Sequence, residues 1–175
     1  LTRSNDGGKT FTQVTNVPDW QGNIELLFDR DKKHIYATIN NCEINSENGI
    51  YYSNISGLLY ASDNNGYNES WKLLKNSSNN IKICIDDSIS GNIFLSTGND
   101  ILKSTDFGEN FTKIVELVHH TNGMYKVPFG DLYASIPNKI LKISEGSISS
   151  VLAKSTNKIL GYYPLQIGNK WFYHE

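Results

Sequence analysis

The chain has little charge, and very little of what it has is arginine. Asp, Glu, Lys and Arg make up 19% of its 175 residues, and the net charge is −2. That leaves no basic footprint for a nucleic-acid backbone. Arginine occurs only as Arg3 and Arg30. Cysteine occurs twice, as Cys42 and Cys84. The pair permits one disulfide and demands none, and the absence of a C-x-x-C pair removes the usual framework of a structural zinc site. No apolar run approaches the roughly 20 residues that a membrane-spanning helix needs. No window carries a sustained apolar stripe of helical period, so little or no helix is expected.

Aromatic residues are plentiful at 11%, ten of them Tyr, and there are 14 Gly. This composition suits an all-β protein with many turns. The clearest local signal is Lys103 to Phe111, KSTDFGENF. It follows a β-like run and places Ser104, Asp106, Gly108 and Phe111 in an S-x-D-x-G-x-x-F order. Ser and Asp bond nearby backbone groups in turns. Gly accepts positive φ. The aromatic restarts a strand and covers the turn. Together they predict a β-hairpin whose loop is braced by its own side chains.

The pattern recurs. Ser4, Asp6, Gly8 and Phe11 repeat it at the start of the chain. Ser62, Asn64, Gly66 and Trp71 form a modified copy, with Asn in the acidic place and two extra residues before the aromatic. A fourth, eroded copy lies at Lys139 to Glu145, where ILKIS stands in place of ILKST. The equivalent positions Ser4, Ser62, Ser104 and Ile143 stand 58, 42 and 39 residues apart. Propeller blades of the WD type repeat at about 40–45 residues. The longer first interval predicts an insertion.

These octets resemble the Asp-box, or BNR repeat. It is found in sialidases, sortilin-type receptors, xyloglucan-degrading glycosidases and photosystem II assembly factors. The resemblance implies an all-β fold of β-propeller blades, each of four antiparallel strands, with the Asp-box on the hairpin between the third and fourth. It also implies that the twelve Ser, Asp, Asn, Gly and aromatic residues above are structural and remote from any active site.

The strand pattern gives three full blades after a partial first one. The strands of the first full blade are expected at 23–28, 34–39 and 58–61, with a fourth from Trp71. Those of the second are expected at 81–85, 92–96, 101–104 and 111–115, and those of the third at 123–127, 131–135, 140–143 and 148–152. The insertion falls between Asn40 and Gly57. Residues 1–153 thus form the propeller segment. Residues 154–175 begin with a polar linker. The run YYPLQIGNKWFY that follows resembles the opening strand of a separate β domain of some secreted bacterial proteins, and reads equally as an incomplete blade. Closed propellers typically have 4–8 blades. The tail could close a four-bladed ring. The expectation is instead an arc of a larger propeller, in a fragment of a larger protein.

Propeller loops alternate between two faces. The Asp-boxes mark one, so a ligand is expected on the other, among loops set on a rigid scaffold. Candidate residues there are Asp19, Trp20, Glu43, Tyr51, Tyr52, His119 and His120. Adjacent residues on a strand point to opposite faces, which makes His119 and His120 a poor metal pair. The DNNG run at Asp63 lacks the spaced acids and closing Glu of a calcium loop. No metal and no cofactor are expected. A sialidase site needs three guanidinium groups on the substrate carboxylate, and two arginines cannot supply them. A carboxylate-pair glycosidase needs two acids about 5–10 Å apart; Asp19 and Glu43 could face a cleft, but nothing in the sequence singles them out. The reading is a non-catalytic binding or scaffold module of a secreted, periplasmic or cell-surface multidomain protein. It would take a protein or carbohydrate ligand and pack against the remaining blades of its propeller. The alternative is part of a sialidase-like or xyloglucanase-like glycoside hydrolase whose catalytic residues lie elsewhere.

Overall fold

The computed structural model describes residues 2–13, 21–43, 56–67, 70–144 and 147–153. The side chains of 21, 22, 42, 43, 152 and 153 lie outside that description. Among the described residues every regular element is a β-strand. None forms a helix long and apolar enough to cross a membrane.

β1 (Thr2–Arg3) and β2 (Thr12–Gln13) form a short ribbon. Three antiparallel sheets of four strands follow. The first holds β3 (Gln21–Phe28), β4 (Ile35–Glu43), β5 (Gly57–Ser62) and β6 (Trp71–Ser77). The second holds β7 (Ile81–Ile85), β8 (Ile93–Thr97), β9 (Asp100–Ser104) and β10 (Thr112–Glu116). The third holds β11 (Gly123–Lys126), β12 (Leu132–Ile136), β13 (Lys139–Ser144) and β14 (Ser147–Ala153). In each sheet sequence order is spatial order. The connection inside the first sheet that carries the insertion runs over 44–56. The matching connections are only 98–99 and 137–138 in the other two.

Register ties the repeats together. Phe28 faces Ile35, which faces Ser62. Ile85 faces Ile93, which faces Ser104. Lys126 faces Leu132, which faces Ile143. Directly paired residues point to the same side of a sheet, so each sheet has one side defined by these triplets. Alternating apolar residues fill it, as a half-buried strand requires.

The sheets stack face to face. Tyr36, Leu59 and Ala61 of the first sheet pack on Ile81, Ile83, Ile85, Ile93, Leu95 and Leu102 of the second. Cys84, Phe94 and Ile101 of the second pack on Leu132, Ala134, Ile136, Leu141 and Ile143 of the third. On the defining side of the first sheet, Ile35, Ala37 and Ile39 of β4, Leu58 and Tyr60 of β5, and Trp71 form a third buried cluster, while Ile24, Leu26 and Phe28 on β3 are exposed. At the stacking joint Gly57 allows close approach: a Cβ there would sit 2.5 Å from the Asn79 carbonyl oxygen and 2.8 Å from the Ile81 nitrogen.

Candidate functional site

The three loops singled out in the sequence adopt closely related hydrogen-bond patterns. In the third copy Ser104 Oγ accepts the N–H groups of Asp106 (3.3 Å) and Gly108 (2.9 Å) and donates to Asp106 Oδ1 (2.7 Å). The Asp106 carboxylate then accepts the backbone N–H and side-chain amide of Asn110, at 3.0 and 2.8 Å. The first copy repeats this. Ser4 Oγ takes the N–H groups of Asp6 and Gly8, and Asp6 takes those of Lys9 and Thr10 and the Thr10 hydroxyl. Each carboxylate is held at about 2. The leading cause is the Thr10 hydroxyl for Asp6 and the Asn110 amide for Asp106.

The middle copy solves the same problem with Asn64 in the acidic place. Ser62 Oγ again accepts two N–H groups, from Asn64 and Gly66. Its proton goes to Ser70 Oγ, 2.6 Å away, because the Ser70 hydroxyl is already donating to the Tyr67 carbonyl. Trp71 is buried, and its indole N–H donates to the Gly66 carbonyl at 3.4 Å. Phe111 packs against the core between the first two sheets, whereas Phe11 is exposed. In the eroded copy Ile143 occupies the serine register, and Ser144 Oγ donates to Asp131 instead. Asn110, which begins an N-x-T sequon, spends its amide on Asp106.

All hairpins joining first to second and third to fourth strands lie at one end of the stack. The opposite end carries the connections 44–56, 78–80, 98–99, 117–122 and 137–138. Of the seven candidate ligand-face residues, Asp19, Trp20, Tyr51 and Tyr52 lie outside the described residues. Glu43 ends β4, its backbone opposite Gln21. His119 and His120 are adjacent and exposed in the 117–122 connection. That end is stitched by short polar pairs between sheets. The Asn40 amide bonds both the N–H and the carbonyl of Ile81, and hydroxyls meet at Ser77–Thr97 and Ser96–Thr121. Cys84 is a buried free thiol pushed up to about 12 by its burial, which denies it a nucleophile's role.

The end with the braced hairpins is more elaborate than the sequence suggested. The β3–β4 turn reaches the second sheet. Asp29 accepts the Gly91 N–H at 2.8 Å, Arg30 donates to the Ser88 carbonyl at 2.7 Å, and the His34 ring stacks on Phe107 at 4.0 Å. The β7–β8 turn reaches the third sheet in the same way. Ser88 Oγ accepts the Phe129 N–H, and Asp86 lies 3.4 Å from Lys126. Burial works against the Asp86 charge, but Ser88 and Lys126 outweigh it and hold the carboxyl below its usual range. Asp29, Arg30 and Asp31 are consecutive charged residues between two expected strands. Their partners are not marked in the sequence.

A cavity of about 460 Å³ opens between the β1–β2 ribbon and the end of the first sheet that carries Phe28, Ile35 and Trp71. Leu26, Phe28, Ile35 and Trp71 form its apolar wall, with Arg3 and Lys32 at its polar side. Arg3 stacks on Tyr67, its guanidinium carbon 3.6 Å from the ring centroid. Its Nη1 is buried and has no partner among the described residues.

No protein-family model matches the chain, and no curated protein matches it.

Proposed function

We propose that this chain is a run of Asp-box propeller blades acting as a non-catalytic binding or scaffold module in a secreted or cell-surface protein. The observation that carries this is the repeat of one hydrogen-bond device: Ser62 and Ser104 hold equivalent registers in successive sheets, each gathering two N–H groups of its own loop. These side chains are consumed in bracing and have no capacity left for substrate. Arg30 is engaged on the Ser88 carbonyl, and Arg3, stacked on Tyr67 with its Nη1 unpartnered among the described residues, has no second guanidinium beside it at the cavity, which supports binding over sialidase chemistry.

The exposed apolar residues of β3, the first strand of the first sheet, support an arc that continues. The β1–β2 ribbon carries its braced loop between its two strands, as the outer pair of each complete sheet does around Ser62 and Ser104. Two inner strands placed beside β1 would cover Ile24, Leu26 and Phe28 and fill the adjoining cavity. The ligand, a protein or a carbohydrate, docks on the end opposite the braced hairpins.

The test pairs two assays on one preparation. Chromogenic sialosides and xyloglucan-derived glycosides should show no turnover above buffer. Turnover that Asp19→Asn or Glu43→Gln removes would overturn the non-catalytic reading and favour a carboxylate-pair hydrolase.

A further inference from the structure

The three complete sheets share a cross-strand pair that the β1–β2 ribbon lacks. The third-strand residue just before Ser62, Ser104 or Ile143 is paired with an aromatic on the second strand: Ala61 with Tyr36, Lys103 with Phe94 and Lys142 with Tyr133. Such pairs stand side by side on one face of a sheet. Where another sheet follows, that aromatic fills the joint. Tyr36 is 0% exposed against the second sheet, and Phe94 is 5% exposed against the third. The Lys103 ammonium lies 5.7 Å from the centre of the Phe94 ring, close enough for a cation–π contact.

Arg3 holds the same place in the ribbon, directly before Ser4. Its strand β1 pairs with β2 alone among the described residues, so no aromatic stands opposite Arg3. The cavity against Leu26, Phe28 and Trp71 lies there instead. Tyr67 takes one face of the Arg3 guanidinium, and Nη1 is buried without a partner among the described residues, which is unusual for a polar atom. The turns supply a second repeat. Asp29 and Asp86 directly follow the first strands of their sheets, and each reaches the sheet beyond, Asp29 at the Gly91 N–H and Asp86 at Lys126. Lys33 matches Gly91 on the first sheet, because their carbonyls accept the N–H groups of Asn65 and Phe107, each three residues past its loop serine. The Lys33 N–H is already given to Asp31. The neighbouring Lys32 lines the cavity and has no ion pair among the described residues.

We propose that the cavity is the docking site of a two-stranded β-hairpin that pairs with the free edge of β1, sets an aromatic side chain opposite Arg3 and carries an acid at its turn to Lys32. The inference rests on reading the ribbon as the outer half of a sheet, and it specifies the chemistry of the inner half. The incoming ring lies between the Arg3 guanidinium and the apolar wall of Leu26, Phe28 and Trp71, as Phe94 lies between Lys103 and the third sheet. A strand on the β1 edge also brings backbone carbonyls, the acceptors that Nη1 lacks. Charge complementarity selects the hairpin as well. An acidic turn pairs with Lys32, whereas a basic one sets like charges together beside Arg3 and is rejected.

The test grafts such a hairpin onto the full chain. A copy of residues 81–100 joined to Leu1 places the copied Phe94 nine residues ahead of Arg3, the same separation as between Phe94 and Lys103. Hydroxyl-radical footprinting should show Leu26 and Phe28 protected about fivefold, and Tm should rise by about 5–10 °C. Phe94→Ala in the copy should remove about half or more of both changes. Asp86→Asn in the copy and Lys32→Gln should each lower Tm, and together by no more than either alone. A folded graft that leaves Leu26 and Phe28 unprotected overturns the continuing arc and this inference with it. Protection that survives Phe94→Ala in the copy leaves the arc standing and overturns the aromatic assignment. Protection already present without the graft, and lost on deleting 154–175 or on dilution, gives the site to the tail or to a second copy and overturns the proposal. Should the graft not fold, the source gene decides the same point: an aromatic codon nine places ahead of Arg3 upholds the proposal, and any other residue there overturns it.

Discussion

In the second sheet Ile81, Ile83 and Ile85 are 0%, 5% and 8% exposed; at the same register in the first sheet Ile24, Leu26 and Phe28 are 48%, 44% and 61% exposed. The two strands have the same alternation and the same apolar character. They differ only in what lies against them. The second sheet has the first sheet's Tyr36, Leu59 and Ala61 on that side. The first has an open cavity and the short β1–β2 ribbon. The first strand of such a sheet therefore reaches its burial through a neighbour, whereas Ile35, Ala37, Ile39, Leu58 and Tyr60 on the same side of the first sheet are buried with no further four-stranded sheet described against them. That is the energetic logic of stacked repeats, where stability is a sum of unit and interface terms.

Mutation should separate those terms. Ile83→Ala removes buried methyls from a filled joint and should cost about 2–4 kcal/mol in a urea melt. Leu26→Ala, at the same register, should cost less than about 1 kcal/mol, because the truncated atoms are already in water. Equal costs would mean that the first sheet is covered in solution and that the asymmetry is false. The braced loops sharpen the comparison, because Gly8 and Gly108 share φ near +89°. A Cβ at Gly108 would meet Leu74 Cδ1 at 2.6 Å, whereas one at Gly8 meets nothing closer than Phe11 at 4.0 Å. Gly8→Ala should therefore show only the left-handed backbone cost, about 1–2 kcal/mol and confined to the hairpin. Gly108→Ala adds overpacking and should cost about 2–4 kcal/mol globally.

Much of this was legible in the sequence because it is local. The strands of the three sheets fall within about two residues of their alternation patterns, since period-2 burial is written directly in runs such as Ile81 to Ile85; the exception is β4, which runs to Glu43, four residues past its expected end, and takes up the start of the expected insertion. The braced loops were legible for the same reason: Ser104, Asp106 and Asn110 satisfy one another within seven residues. The joints were not. Asp29 to Gly91 and Arg30 to Ser88 link residues 62 and 58 apart, and Asn40 to Ile81 links residues 41 apart. Those pairings exist only once sheets stack at a given offset, and no spacing in the chain encodes it. His34, whose ring stacks on Phe107 of the second sheet, belongs to such a joint, and no spacing marks it. The candidate ligand face stayed largely out of reach, because four of its seven residues lie outside the described structure.

The smallest expected effect tests whether the brace depends on its surroundings. Asp6 sits in an isolated two-stranded ribbon and Asp106 in a complete sheet, yet both carboxyls are held at about 2, against an ordinary 3.8. The bonds responsible are all within each loop, so the brace needs no neighbour. A lowered folded-state pKa means that the folded form holds its proton less tightly than the unfolded chain does. The stabilisation is therefore complete above about pH 4 and is lost as pH falls through about 2. The two sites should report that loss differently. Asp106→Asn should flatten the fall in Tm between pH 4 and pH 2, because its hairpin belongs to the cooperative stack. Asp6→Asn should leave Tm unchanged over the same range, and instead speed amide exchange at Gly8, Lys9 and Thr10. If Asp6→Asn also changed the global Tm profile, the ribbon would be cooperatively joined to the first sheet, and Ile24, Leu26 and Phe28 of β3 would be less exposed in solution than their 48%, 44% and 61% indicate.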